Sequence, residues 1–181
     1  MKFRSNGLNH QRKRAWATSL ALLCYDFLAQ SIQIPGTIDL SDPEEVNNAV
    51  KNNAACTGCH ATLDPLASFF YGYHNNTQFN AVDEYPIENM YNENRSHNWA
   101  NNNQDMPRPA YFPLQPEYGA SALPTDPTME DLGNSIAVDP QFAQCATRRL
   151  YSYFHNVPIS AVPFSDVMTL SATLTDNNMN T

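Results

Sequence analysis

Four cysteines stand in a chain of 181 residues, and two of them fall in Cys56-Thr57-Gly58-Cys59-His60. That pentapeptide constrains the fold more than any other feature, because it asks for a large ligand at a fixed place. Thiols three apart, followed at once by an imidazole, suit covalent attachment of a haem. Each thiol adds to one vinyl group, and the short arc sets the next side chain beneath the iron as proximal ligand. A bare CxxC also suits a redox dithiol or half of a zinc site. A zinc site of that kind wants a second ligand pair at similar spacing, and none follows, since Cys24 and Cys145 are far apart and isolated. The His directly after the second Cys tips the balance to one covalent haem, with Cys56 and Cys59 as anchors and His60 as iron ligand.

Electron transfer at such an iron usually calls for a sixth ligand. Downstream stand His74, Met90, His97, Met106, Met129, His155 and Met168. Met106 is singled out by its neighbours in Asp105-Met106-Pro107-Arg108-Pro109. Prolines there fix φ and remove donors, so the loop is stiff and holds a thioether at little ordering cost. It lies 46 positions beyond His60, enough chain for a helix and a return loop. His74, His97 and an open or water-bound iron remain alternatives, as does a plain hydrophobic role for Met106.

The charge is unevenly spread. Lys2, Arg4, Arg12, Lys13 and Arg14 put five positive charges in the first 14 residues, while the remainder carries five basic and eighteen acidic groups. So acidic a body excludes general nucleic-acid binding, which rests on neutralising phosphates. Residues 10–30 repeat apolar positions at three and four (Trp16, Leu20, Leu23, Cys24, Phe27, Leu28), which predicts a core helix. A signal peptide is the competing assignment. The apolar run is broken at Thr18 and Ser19, ends at Asp26, lacks a clear cleavage site and is too short to span a bilayer.

Ser41 or Asp42 is placed to cap a helix over 43–53 that delivers the haem motif. Asp64-Pro65 then opens a short helix carrying Leu66, Phe69 and Phe70, with Asp64 bonding backbone at the turn or capping. Residues 74–127 are polar, aromatic and Pro-rich, and are expected to be mostly loop wrapping a large ligand. Helices are expected at 128–138, with Thr128 as cap, and at 140–155. The fold class is therefore mainly α, one domain over 1–170 with a long irregular Pro/Asn-rich loop, and 171–181 reads as a disordered tail. Phe69, Phe70, Tyr71 and Tyr73 are candidate walls of the haem or the core.

With CxxCH after an N-terminal helical region, a Met-Pro loop and a C-terminal helix, the chain resembles a class-I type cytochrome c domain. A closer likeness lies in Cys56 to Tyr73, CTGCHATLDPLASFFYGY, which resembles the haem-binding C-terminal domains of unknown function in large exported bacterial proteins. Asn9 to Cys24 resembles their Arg-rich, then apolar, helix ending in Cys. Asp139 to Cys145, followed by Arg148 and Arg149, resembles their closing helix. The likeness spans roughly residues 5 to 155; it departs at Ala67, where many relatives carry Gly, and across the Asn-rich 75–104.

The resemblance implies a cytochrome c-like helical domain wrapped around one haem c, working in the periplasm or outside the cell. In such a fold Cys24 and Cys145 lie on terminal helices that cross. An oxidising compartment makes that pair a reasonable disulfide, with two buried free thiols as the alternative. Arg148 and Arg149 either pair with a haem propionate or face solvent. The expected activity is electron transfer by a mono-haem domain to a redox partner or a fused oxidoreductase, without catalysis of its own and without a membrane span. Two alternatives stand beside it. One is a peroxidase-like haem enzyme with an open distal site, for which His74, His97 and Arg95 are the distal candidates. The other is a structural module of an extracellular assembly in which haem is a folding staple.

Overall fold

The computed structural model describes residues 11–30, 36, 38, 39, 41–72 and 127–177, and the regular structure among them is helical, with no strand. Helix α1 covers Arg12–Leu23, shorter than its apolar repeat. It stops because Cys24 turns into the left-handed region (φ 52°). Asp26 then gathers the chain: its carboxylate accepts the Trp16 indole N–H at 2.7 Å and the Leu28 N–H at 2.9 Å. Those bonds start a 3-10 turn over Phe27–Ala29 that folds Phe27 back under the helix.

Helix α2 covers Pro43–Asn52. Asp42 caps it, accepting from the Glu44 and Glu45 N–H groups, and those two acids sit in the first turn where the helix dipole favours them. Asn53 serves both neighbours. Its N–H closes α2 on the Ala49 carbonyl and its side-chain oxygen accepts from Ala55 to open α3.

Helix α3, Ala54–Ser68, corrects two expectations at once. The Cys56–His60 motif is not delivered by α2; it occupies the first turns of α3 itself. Nor does Asp64-Pro65 open a new helix, because α3 runs straight through Pro65 and passes into a 3-10 turn over Phe69–Gly72. An interior proline costs about 3 kcal/mol and one backbone bond. Here every residue from Leu63 to Phe70 is buried, and that burial offsets the loss.

Helix α4, Met129–Val138, starts in a capping box between Thr128 and Asp131. Helix α5, Pro140–His155, starts on the Asp139 cap and ends at left-handed Asn156, where the Val157 N–H reaches the Ser152 carbonyl. After a 3-10 turn over Ile159–Ala161, helix α6 covers Phe164–Asp176. The tail assigned to 171–181 is therefore helical as far as Asp176. Thr169, Thr173 and Thr175 bend their hydroxyls back to carbonyls four residues earlier, which partners them within the helix itself.

Helix α1 packs on α3 and α5, α2 on α3, α4 on α5, and α5 on α6. The main core joins Ala15, Leu23 and Phe27 to Leu63, Leu66, Ala67, Phe69 and Phe70, closed by Leu132 and Ile136. Phe69 and Phe70 thus belong to the core. Cys24 and Cys145 form a disulfide with Cα atoms 5.3 Å apart, tying α1 to α5 across 121 positions. Gln141 and Arg149 of α5 flank the bridge and donate to the Leu23 and Leu20 carbonyls, each at 2.9 Å. Those contacts satisfy carbonyls that the end of α1 leaves without helical partners. Among the described residues no helix is long and apolar enough to cross a membrane.

Candidate functional site

The start of α3 carries the motif. Positions 56, 59 and 60 are spaced i, i+3 and i+4, so both thiols and the imidazole fall on one helical face. Neither Cys56 nor Cys59 is in a disulfide, and both are half-buried. Cys59 packs against the core, near Tyr25. Burial pushes the Cys59 thiol up from its ordinary value. Burial, then the neighbouring Cys59, does the same to the Tyr25 phenol.

One turn further along α3 stands Asp64, and there the structure departs most from the expected local role. Asp64 caps nothing. Its carboxylate meets His60 Nδ1 at 3.0 Å and takes a two-pronged grip from Arg12 of α1, Nε at 2.6 Å and Nη2 at 2.8 Å. Burial alone would raise the Asp64 pKa. The hydrogen bonds from Arg12 and His60, and their charges, outweigh it and hold the carboxyl below the usual range. The clue available in the sequence was the His60-x-x-x-Asp64 spacing, which brings the two side chains together only if the helix continues past residue 60.

The residues present fit a haem on the chemistry of this donor set. Two unbridged thiols share a face with an imidazole whose Nδ1 is engaged by a carboxylate, leaving Nε2 as the ring atom free to ligate iron. Among the described residues no three His, Cys, Asp or Glu side chains come together as a bare metal site.

The expected distal ligand, Met106, lies outside the described residues, as do His74, Met90, Arg95, His97 and Tyr73. The other three candidates lie among the described residues. Met129 packs against the main core, His155 stacks on Tyr151 with ring centroids 4.1 Å apart, and Met168 lines a cavity with Ala172 on α6. Arg149, a candidate propionate partner, is engaged at the end of α1. Two cavities, of about 370 and 550 Å³, lie along α5 and α6, and neither is lined by the motif. No protein-family model, curated protein or solved structure matches the chain.

Proposed function

We propose that this chain is a mono-haem c-type cytochrome domain that transfers electrons to a redox partner or a fused oxidoreductase. One observation carries the proposal: Cys56, Cys59 and His60 share a helical face, with both thiols unbridged and His60 Nδ1 bonded to a carboxylate. Haem bound there supplies a one-electron iron couple. Cys56 and Cys59 hold it through thioethers, His60 ligates through Nε2, and Met106 is the sixth ligand. The acidic body, with net charge −8 over the whole chain, steers it toward basic partner surfaces in a salt-sensitive way. The Cys24–Cys145 bridge is compatible with a periplasmic or extracellular site of action.

A second reading is favoured by the Asp64–His60 contact. A carboxylate on the proximal imidazole makes it a stronger donor and favours ferric iron, which suits an open-faced haem acting on peroxide or another small oxidant. Expression in a haem-maturing host, followed by a pyridine haemochrome spectrum and intact mass, tests the common ground. Thioether-linked haem is expected, and it should be lost from Cys56→Ala/Cys59→Ala. Zinc without haem would sink both readings. Rapid binding of carbon monoxide or cyanide to the untreated protein would select the enzyme. A far-red ferric band that disappears in Met106→Ala would select the electron carrier.

A further inference from the structure

We infer that Arg12 and Asp64 are positioning residues for His60: the carboxylate fixes the imidazole proton on Nδ1, and the guanidinium sets how strongly that carboxylate pulls. The haem-based part of the inference rests on the cytochrome reading; the side-chain arrangement itself belongs to this chain alone.

Asp64 Oδ1 stands 3.0 Å from His60 Nδ1. Both carboxylate oxygens are already held by Arg12, and a carboxylate in that grip has no proton to give. In the neutral ring the contact therefore requires the proton on Nδ1 and leaves the lone pair on Nε2. An i, i+4 pair on one helix fixes little by itself, since an Asp side chain has several rotamers. What removes the choice is Arg12, 52 positions away in sequence and on another helix, whose planar fork matches the carboxylate.

Compared with apolar residues, a buried ion pair is a weak source of stability, so stability alone is a poor reason for this group of charges. The Asp64 side chain is 7% exposed and that of Arg12 17%. At such depth the cost of desolvating an ion pair cancels most of its attraction, and apolar residues of similar volume serve folding as well. What the pair does supply is a fixed ring for His60. It also supplies a graded one, because the Arg12 charge partly satisfies the carboxylate and weakens its pull on the imidazole proton.

The two partners should therefore have opposite effects on the iron. Asp64→Asn removes the pull, makes His60 a weaker donor and shifts the midpoint potential up. Arg12→Gln frees the carboxylate, makes His60 a stronger donor and shifts the potential down. A roughly tenfold change in ferric-over-ferrous preference, about 59 mV for one electron, is the size expected for disturbing the outer partner of a ligating His. Arg12→Lys keeps the charge without the fork and should shift less than Arg12→Gln, in the same direction; it stands in if the Gln variant fails to fold.

Both Asp64→Asn and Arg12→Gln should lower the urea midpoint, so a merely structural role moves the two proteins alike. Opposite signs alone follow from the charges removed, so the inference is supported only if Arg12→Lys, which keeps the charge, also shifts the potential down; shifts of one sign, or an Arg12→Lys potential that does not move, overturn it. If the full chain carries no thioether-linked haem, the cytochrome reading fails by itself. Ring-nitrogen NMR of His60 on that haem-free chain, at a pH where the ring is neutral, then decides the arrangement: an Nδ1–H tautomer that is lost in Asp64→Asn supports it, and an Nε2–H tautomer in the unsubstituted chain overturns it.

Discussion

The α1–α3–α5 junction and the α5–α6 hairpin are held by different kinds of force. At the junction, contacts join residues far apart in sequence: Arg12 to Asp64, Cys24 to Cys145, Gln141 to Leu23 and Arg149 to Leu20. Each is directional, and together they fix one helix against two others. In the hairpin one side-chain bond, between Tyr151 and Asp166, joins the two helices, and the other bonds are mostly local, Ser and Thr hydroxyls returning to carbonyls three or four residues back. Large apolar side chains there face outward, with Tyr153, Phe154 and Phe164 all well exposed. Directional long-range contacts specify position, whereas local bonds and general apolar packing specify only that a helix exists. The candidate haem motif lies in the first region.

Removing the bridge is the strongest way to break that contrast. Cys24→Ser/Cys145→Ser deletes a covalent tie across 121 positions, and a loss of roughly 2–5 kcal/mol in urea unfolding is expected. Cys24 also sits in a left-handed conformation that a non-glycine residue tolerates poorly, so the bridge holds the end of α1 in place against local preference. A loss below about 1 kcal/mol would mean that Gln141 and Arg149 hold α1 to α5 unaided.

Val167, fully buried on α6, sharpens the other side. Val167→Ala deletes two methyl groups, worth about 2 kcal/mol once the cavity is included. Amide exchange should accelerate in α6 and the adjoining face of α5, with α1 and α3 unchanged. An equal loss of protection in α3 would show that hairpin and junction unfold as one unit, and the contrast would then be one of geometry without separate stability.

How much of this was legible in the chain follows the same division. Caps are local, so Thr128, and Asp42 of the pair Ser41 or Asp42, marked two helix starts correctly. The Cys24–Cys145 bridge was expected from the resemblance, which sets both on crossing helices, with two free thiols as the alternative; the structure shows the bridge. Pro65 misled, since its penalty is local and the burial that outweighs it is tertiary. That one break hid the site's main feature: with α3 ended at residue 64, Asp64 becomes a cap and never meets His60. Helix α6 was missed for a related reason, its Ser- and Thr-rich face having weak helix propensity while Val167 and Ser171 are buried. Met106 lies outside the described residues, so the distal side stays with the proposal.

The smallest expected effect concerns Asp26, at the turn where α1 gives way to the Phe27–Ala29 segment. The Trp16 indole N–H, then the Leu28 and Ala29 N–H groups, hold its carboxyl below the usual range against a modest opposing effect of desolvation. A carboxyl whose pKa is lower folded than unfolded binds fewer protons in the native state. It contributes stability above the unfolded value of about 3.9, and that contribution fades as pH falls through the folded value. Asp26→Asn has no such titration. The gap in urea midpoint between the native chain and Asp26→Asn should therefore narrow between about pH 7 and about pH 3, with the native chain the more stable at the upper end. Because Asp26 anchors the indole of Trp16, a residue packed on the junction core, the loss should register in Trp16 fluorescence while the hairpin keeps its exchange protection. A gap that stays constant across that range would place the worth of the Trp16–Asp26 bond in its geometry, which Asn reproduces in part, and not in the carboxylate charge.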